Sequence, residues 1–373
     1  MKKIIIVSNS FWNIINFRKP IIKILLENNY KIHIIAPLRD HALYPFSEKV
    51  ILHNIDIDRR GANIIKELIL LLNLYKIIKR IEPNLILNFT IKPVIYVSLI
   101  SRLLKIYTIN TITGLGRVFI VRNLFLIKFI VELLYKISQK NVGQIIFHNT
   151  EDYNYFIRKK ISSSHNSAII HGSGINLNHL QYSKPKISNK FTFITISRLT
   201  AEKGIYDLIE AIKLVRKKTK IKISFLLFGS HEKNSQGGIP KENILQWENE
   251  GLIEYKGFVK TLNNYIKDCD ALIHPSHREG SSRSIQESMS LGRPVIASDC
   301  KGNLESVINN YNGYIFKKKD VKNLYDKIIA FTKLDVNKRL ELTINSRQTA
   351  ERMFDENKIS NSYLKFVNKL LKR

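Results

Sequence analysis

Cysteine is nearly absent from this chain of 373 residues. It has 2, Cys269 and Cys300. That excludes a disulfide framework and a cysteine-rich zinc site, and it points to a reducing compartment. Acidic residues are scarce too: 31 Asp and Glu face 60 Lys and Arg, a formal net charge of +29. Long uncharged apolar runs are also missing. The most apolar stretch, Pro93 to Ser138, is cut by Arg102, Lys105, Arg117, Arg122, Lys128, Glu132 and Lys136. No uncharged run within it approaches the roughly 18 residues a membrane span needs. It could hold interfacial helices, apolar faces in lipid and cations at the headgroups. Met1-Lys2-Lys3 imitates a signal peptide, but the apolar run after it stops at Val7, short of the ~7–15 residues of an h-region. A buried first strand fits better. No P-loop, no complete dinucleotide fingerprint, no RNP-like aromatic motif and no basic tail is present, which leaves little support for nucleic acid as a partner.

What is present is the composition of a folded protein, 44% hydrophobic and 24% charged, at a length that suits two domains. The positive charge is uneven. Residues 1–190 hold 28 Lys and Arg against 10 Asp and Glu, and the remainder hold 32 against 21. The first half is therefore the candidate for an anionic partner such as a membrane surface or a phosphorylated substrate. A biased, Ile-, Asn- and Lys-rich composition explains the surplus equally well.

Short Ile- and Val-rich runs alternate with longer amphipathic segments. The runs Lys3–Val7, Lys31–Ala36, Leu85–Asn88, Tyr107–Thr111, Gln144–His148 and Ser167–Ile170 read as strands buried on both faces of a parallel sheet. Segments such as Phe17–Asn29, Asn63–Arg80, Leu124–Gln139 and Asp152–Lys160 read as the helices between them. The second half repeats the scheme, with strands from Phe191–Ser197 to Gly313–Phe316 and helices that include Tyr206–Lys217, Ser282–Leu291, Leu304–Ile308 and Asn337–Met353. Strict alternation predicts an α/β class with two doubly wound sheets. The polar, Pro-containing stretch Tyr182–Lys190 sets the expected boundaries: residues 1–183, residues 184–355, and a last helix in 356–373 that packs back on the first domain.

The densest chemical signal lies in Ala271–Ser306. A buried strand leads to Glu279-Gly280-Ser281-Ser282, where Gly280 permits close backbone approach. Ser281 and Ser282 are expected to open a helix whose free N–H groups attract anions. Gly292 and Pro294 end that helix. Glu279 and Glu287 bracket its start. At ~100° per residue an eight-residue offset leaves them within ~80° of each other, so they reach different parts of one extended ligand. Alone, Glu287 would read as a surface glutamate. The other patterns read as structural. His148, His171 and His274 sit at strand ends without metal-ligand spacing. Asp56-Ile57-Asp58 and Asp268-Cys269-Asp270 are short enough to arise by chance, and the second suits a turn.

Glu279 and Glu287, followed by Met289-Ser290-Leu291-Gly292-Arg293-Pro294, resemble the Glu-x7-Glu signature of glycosyltransferase family 4, retaining enzymes of the GT-B fold. The resemblance spans almost the whole chain. Ser197–Gly204 resembles the family's turn carrying an arginine and a lysine; Phe228-Gly229-Ser230 and Gly257-Phe258-Val259 resemble its nucleotide loops. Gly302-Asn303-Leu304-Glu305 resembles its next turn. Ile15–Ile21, Thr113-Gly114-Leu115-Gly116 and Gly174-Ile175-Asn176 are similar to members acting on undecaprenyl-diphosphate-linked sugars.

The resemblance implies two facing Rossmann-like domains with a cleft between them. It implies Arg198 and Lys203 against the donor diphosphate, Glu279 on the donor sugar and Glu287 on the ribose. Backbone groups of Gly280, Ser281 and Ser282 would assist, with Gly229 and Phe258 near the nucleotide. Arg18, Lys92 and Asn16 are the candidates for the acceptor diphosphate. Ser8-Asn9-Ser10 stands where many members have a glycine pair, and no counterpart is found for the N-domain histidine of some members. The implied activity is transfer of a hexose or N-acetylhexosamine, N-acetylgalactosamine first, from a UDP-sugar to a polyprenyl-diphosphate-linked saccharide. It would serve bacterial O-antigen, capsule or other glycan assembly. Neither a cofactor nor a metal is implied. The expected place is the cytoplasmic face of the membrane, peripherally bound, with an anionic membrane surface as partner. The rival readings are a UDP-sugar 2-epimerase on the same fold and a non-catalytic basic protein binding membrane or nucleic acid.

Overall fold

Strands with Ile or Val at successive positions need apolar cover on both faces, and the chain supplies it twice. A computed structural model describes residues 1–38, 49–58, 61, 63–115, 119, 125–186, 188, 190–231 and 237–372. The chain forms two units, residues 1–173 with 356–373, and residues 174–355.

The first unit holds a seven-stranded, wholly parallel sheet. Its strands are β1 (Lys3–Val7), β2 (Lys31–Ala36), β3 (Val50–Asn54), β4 (Leu85–Phe89), β5 (Tyr107–Ile112), β6 (Gln144–Phe147) and β7 (Ser167–Ile169). They lie in the order β3-β2-β1-β4-β5-β6-β7. Successive residues of β1 feed opposite cores. Ile4 and Ile6 pack with the helices on one face, and Ile5 and Val7 with those on the other. The last helix, Glu356–Leu371, belongs here: Ile359, Tyr363, Val367 and Leu370 join the core beside helix Lys19–Glu27.

The second unit holds six parallel strands, β8 (Phe191–Ile196), β9 (Ile223–Phe228), β10 (Glu254–Gly257), β11 (Ala271–His274), β12 (Val295–Ser298) and β13 (Gly313–Phe316). Their order is β10-β9-β8-β11-β12-β13. Both units are therefore doubly wound α/β sheets, as the alternation predicts. In each, parallel strands direct every following loop to the same edge, where ligands bind in open α/β sheets.

Several boundaries differ from the sequence reading. Residues 174–183 lie in the second unit, not the first. The Ile175 N–H donates to the Phe354 carbonyl at 2.6 Å. Buried Arg293 donates to the Ser183 carbonyl at 2.9 Å. Strand β3 was not expected; it is an edge strand with only Val50 buried, so its apolar signal is weak. Helix Ile91–Leu103 was also missed, because its seven buried residues form a broad band instead of one narrow stripe. The expected helix Phe17–Asn29 is two helices, Phe11–Phe17 and Lys19–Glu27, with Pro20 in the first turn of the second. The short helix placed at Leu304–Ile308 starts earlier, at Lys301–Leu304. Of the segments singled out above, Gly116, Arg117, Arg122, Leu124 and positions 187 and 189 lie outside the described residues.

Leu370 tests the return of the last helix. It is buried against the first unit, where an added Cβ at Gly143 would sit 2.6 Å from it. Leu370→Ala should destabilise that unit by about 2–5 kcal/mol. Urea unfolding followed at Trp247, which is buried in the second unit's core, should keep its midpoint.

Candidate functional site

Carboxyl ends of β8, β9, β11 and β12 carry the second unit's candidate residues. After β8 the chain makes a tight turn, Ala201–Lys203, closed by Gly204 at φ +70°. A Cβ on Gly204 would lie 2.1 Å from the Pro275 carbonyl oxygen, so only glycine lets the turn press onto the loop after β11. Two contacts lace the same loops together. The His277 N–H donates to the Glu202 carbonyl at 3.0 Å, and His277 Nε2 lies 2.7 Å from Asp207 Oδ2.

This seam delivers Lys203 Nζ to Glu279 Oε1 in a close ion pair. His274 Nε2 lies 3.0 Å from the same oxygen. An ionised carboxylate only accepts, so Nε2 carries the hydrogen and donates. The other ring nitrogen faces Ser284 Oγ at 3.5 Å, itself 3.0 Å from Ser282 Oγ. Both partners of the ion pair are about 15% exposed. Burial alone would raise the Glu279 pKa. The Lys203 charge and the His274 hydrogen bond overcome it and hold the carboxyl well below the usual range. Glu279 is thus a fixed acceptor and not a proton donor at neutral pH.

A second buttress stands on the β12 side. Ser298 donates to the Ser276 carbonyl, and Asn303 Nδ2 donates to Ser298 O and Oγ at 3.1 Å each. A Cβ on Gly302 would meet the Glu279 carbonyl oxygen at 2.3 Å, so this glycine also sets where the Glu279 backbone lies.

The remaining candidates are more dispersed. Arg198 is half-exposed and pairs with Glu202 at 3.5 Å. Glu287, in helix Arg283–Ser290, accepts from Arg283 Nε at 2.8 Å, and Arg283 also donates to the Gly174 carbonyl at 2.9 Å. The helix starts at Arg283, after Ser282, and not at Ser281. Ser281 Oγ accepts from Gln286 Nε2 at 2.8 Å. Gly229 donates its N–H to the Gly257 carbonyl at 2.9 Å and accepts from the Tyr255 hydroxyl at 2.9 Å. A Cβ there would stand 1.7 Å from Ser197 O. Phe258, next to Gly257, is exposed.

In the first unit, Arg18 is fully buried, its guanidinium 4.0 Å above the Phe89 ring. Burial lowers its pKa to about 10. Lys92 pairs closely with Glu67 and donates to the Gly61 carbonyl at 2.8 Å. Asn16 is exposed and donates to the Trp12 carbonyl at 2.9 Å. Asp268 pairs with Lys186, and Asp270 accepts the Thr192 N–H at 2.8 Å, which suits a turn. Among the described residues no group of three or more His, Cys, Asp or Glu is placed to hold a metal.

The structure therefore gathers Lys203 and Glu279 and adds His274, which the sequence reading took as structural. Its position five residues before Glu279, at the end of a strand, was the available signal.

Comparison with known proteins agrees across both units. Residues 180–349 match the model for glycosyl transferases group 1, and residues 3–149 match that for glycosyl transferase 4-like domains. The chain is 28% identical to the N,N'-diacetylbacillosaminyl-diphospho-undecaprenol alpha-1,3-N-acetylgalactosaminyltransferase of Campylobacter jejuni, over 96% of each. It is 24% identical to the UDP-Gal:alpha-D-GlcNAc-diphosphoundecaprenol alpha-1,3-galactosyltransferase of Escherichia coli, over 73% of this chain and 72% of that one. In fold it matches Anabaena HepE in complex with UDP, with TM-score 0.75 and 17% identity over 99% of this chain and 100% of that one.

Replacing Lys203 by Met should leave burial as the dominant influence on Glu279. With only His274 left to oppose burial, its pKa should then rise from the depressed value. In the native chain the depressed pKa means that the pair's stabilisation is present above the unfolded carboxyl pKa and fades as pH falls through the folded one. Titration of the Glu279 carboxyl by NMR in the two proteins checks the shift. Gly302→Ala should displace the Glu279 loop and lower activity while the fold persists by circular dichroism.

Proposed function

We propose, since residues 180–349 match the glycosyl transferases group 1 model and residues 3–149 the glycosyl transferase 4-like model, that this chain moves a hexose or N-acetylhexosamine from a UDP-sugar to a polyprenyl-diphosphate-linked saccharide, with retention of anomeric configuration. N-acetylgalactosamine is the first donor sugar to test, and surface polysaccharide or related glycan assembly is the pathway class. The observation that carries the reading is the buried Lys203–Glu279 pair at the strand ends of the second unit. The acceptor class is supported by two relatives whose names include an undecaprenol-linked diphosphate, one of them over nearly the full length of both chains.

The chemistry asks for charge where charge develops. As the bond between the anomeric carbon and the diphosphate breaks, the leaving nucleotide gains negative charge. Fixed cations beside it lower the barrier. Lys203 and Arg198 take that role. Glu279, held ionised, accepts hydrogen bonds from donor-sugar hydroxyls, and its carboxylate also favours positive charge growing at the sugar ring. Glu287 binds the ribose hydroxyls, for which it must share or leave Arg283. Backbone N–H groups of Gly280, Ser281 and Ser282 serve phosphate and sugar, and Gly229 and Phe258 border the nucleotide. With two cations in place no metal is required. At the acceptor end the reading rests on Arg18. Lys92 would have to exchange Glu67, and Asn16 the Trp12 carbonyl, to join it.

We place the enzyme peripherally on the cytoplasmic face of the membrane. No helix among the described residues is long and apolar enough to cross a bilayer. Helix Phe125–Ser138 nevertheless exposes Phe125, Leu126, Phe129, Ile130 and Leu133, with Lys128 and Lys136 on the same helix. Helix Ile64–Ile81 exposes Ile64, Ile65, Leu68 and Leu72. Both pack on helix Ile91–Leu103. Exposed apolar rows with flanking lysines on a basic unit suit an anionic bilayer surface.

Transfer from UDP-N-acetylgalactosamine, and then other UDP-sugars, to a polyprenyl-diphosphate-linked saccharide tests the reaction by mass spectrometry of the lipid product. Glu279→Gln and Lys203→Met should each lower transfer by on the order of 10² or more, and EDTA should leave it unchanged. A changed sugar on the free nucleotide, with no lipid product, would favour an epimerase. Vesicles rich in phosphatidylglycerol should sediment the wild type, and Phe129→Glu with Ile130→Glu should release it.

A further inference from the structure

The first unit carries a second set of buried polar groups that the donor chemistry does not use. They lie at adjacent strand ends. Ser8 follows β1, Phe89 ends β4, and His148 follows β6. Pairing of Val7 with Asn88, Phe89 with Thr111 and Ile112 with Phe147 aligns those ends in one row. Arg18 lies over Phe89. The Tyr363 hydroxyl from the last helix reaches Thr111 Oγ1 at 3.0 Å.

Polar atoms in this row stand unsatisfied. Arg18 Nε and Nη1, His148 Nε2 and Ser8 Oγ are buried and have no hydrogen-bond partner among the described residues. Arg18 and His148 are 2% and 5% exposed. Buried polar groups in native proteins are nearly always paired, and a buried cation more so. The groups acting electrostatically on Arg18 and His148 are each other, His171 and the Tyr363 phenol. None of them is a carboxylate. Burial, then Arg18 and His171, bring the His148 pKa to about 3, so the ring is neutral at pH 7.

Two backbone features mark the same place. Thr90, after Phe89, has φ +73° and ψ 160°, a region that β-branched residues rarely enter and that clusters at binding sites. Its Oγ1 accepts the Asn9 N–H at 3.3 Å, tying the loop after β1 to the end of β4. Gly114, just past β5, has no described residue within 4 Å of where a Cβ would stand.

We propose that Arg18 and His148 form one phosphate-binding cradle at these strand ends, and that it holds the diphosphate of an isoprenyl diphosphate. This rests on the acceptor reading above and adds His148 as its second contact. Three unused nitrogens from two elements, one of them cationic, suit an anion with several acceptor oxygens. Two linked tetrahedral phosphoryl groups match them. Arg18 supplies the charge, and His148 donates from Nε2.

The experiment is calorimetric titration of the full chain with farnesyl diphosphate and, separately, with UDP. Wild type, Arg18→Met, His148→Leu and His148→Gln are compared, and each is also melted without ligand. Arg18→Met and His148→Leu should weaken farnesyl diphosphate at least about ten-fold, as loss of a charge-assisted or buried hydrogen bond implies. His148→Gln, whose amide nitrogen replaces Nε2, should keep most of the affinity. UDP binding should be unchanged in all. Without ligand, Arg18→Met should melt no lower than wild type, because it removes an unpaired buried cation and keeps the side-chain volume. If UDP loses affinity instead, the cradle takes the nucleotide and the lipid assignment falls. Farnesyl diphosphate binding that neither residue affects overturns the cradle alone. No binding by wild type overturns the acceptor reading with it. A large fall in melting temperature for Arg18→Met, with affinity intact in His148→Leu, makes the row structural.

Discussion

The second unit's site depends on one buried ion pair. Glu279 lies in a loop that would, by itself, prefer to be solvated or protonated. Lys203 lies in a different loop, separated by 76 residues of sequence. Each is a costly group to bury alone, and together with His274 they compensate. The pair therefore does more than supply charge: it fixes the distance between the ends of β8 and β11. Gly204 and Gly302 are the steric conditions for it, one letting the lysine turn approach, the other letting the glutamate backbone settle. Removing either partner leaves the other as an uncompensated buried charge, so the two loops are held as one object.

Parallel strands explain why such an object can arise at all. Every loop that follows a strand emerges at the same edge. In the second unit that edge collects Arg198, Gly229, Phe258 and Glu279, residues scattered along the chain. In the first unit it collects Ser8, Thr90 and His148. The two edges differ in electrostatic completion. In the second, a cation and an anion are already matched. In the first, a guanidinium and an imidazole face no carboxylate among the described residues.

Much of this was legible in the sequence, and for definite reasons. Runs such as Ile4–Val7 are apolar at every position, so they require cover on both faces and announce a parallel sheet. Glu279 was visible because a buried strand precedes it and Gly280 follows. Lys203 stood out because Ser197–Gly204 resembles the family turn that carries an arginine and a lysine. What was illegible depended on contacts between distant segments. Helix Ile91–Leu103 hides because its buried residues form a broad band and not a narrow stripe. The change of unit at residues 173–174 is set by Ile175 meeting Phe354 and by Ser183 meeting Arg293, neither of which leaves a local mark. His274 and His148 look alike as strand-end histidines, yet one donates to a carboxylate and the other has an unpaired nitrogen.

The last helix gives the chain an unusual order of completion during synthesis. Residues 174–355 form a continuous stretch and can close their own core as they emerge. The first unit, although translated earlier, lacks Tyr363 and Val367 from its core until residues 356–373 arrive. Ribosomes add roughly 5–20 residues per second. For the time taken to make the whole second unit, helix Lys19–Glu27 therefore has no partner for the face that Glu356–Leu371 will cover, and Arg18 beside it has no Tyr363. The half that is made first is the half that must wait.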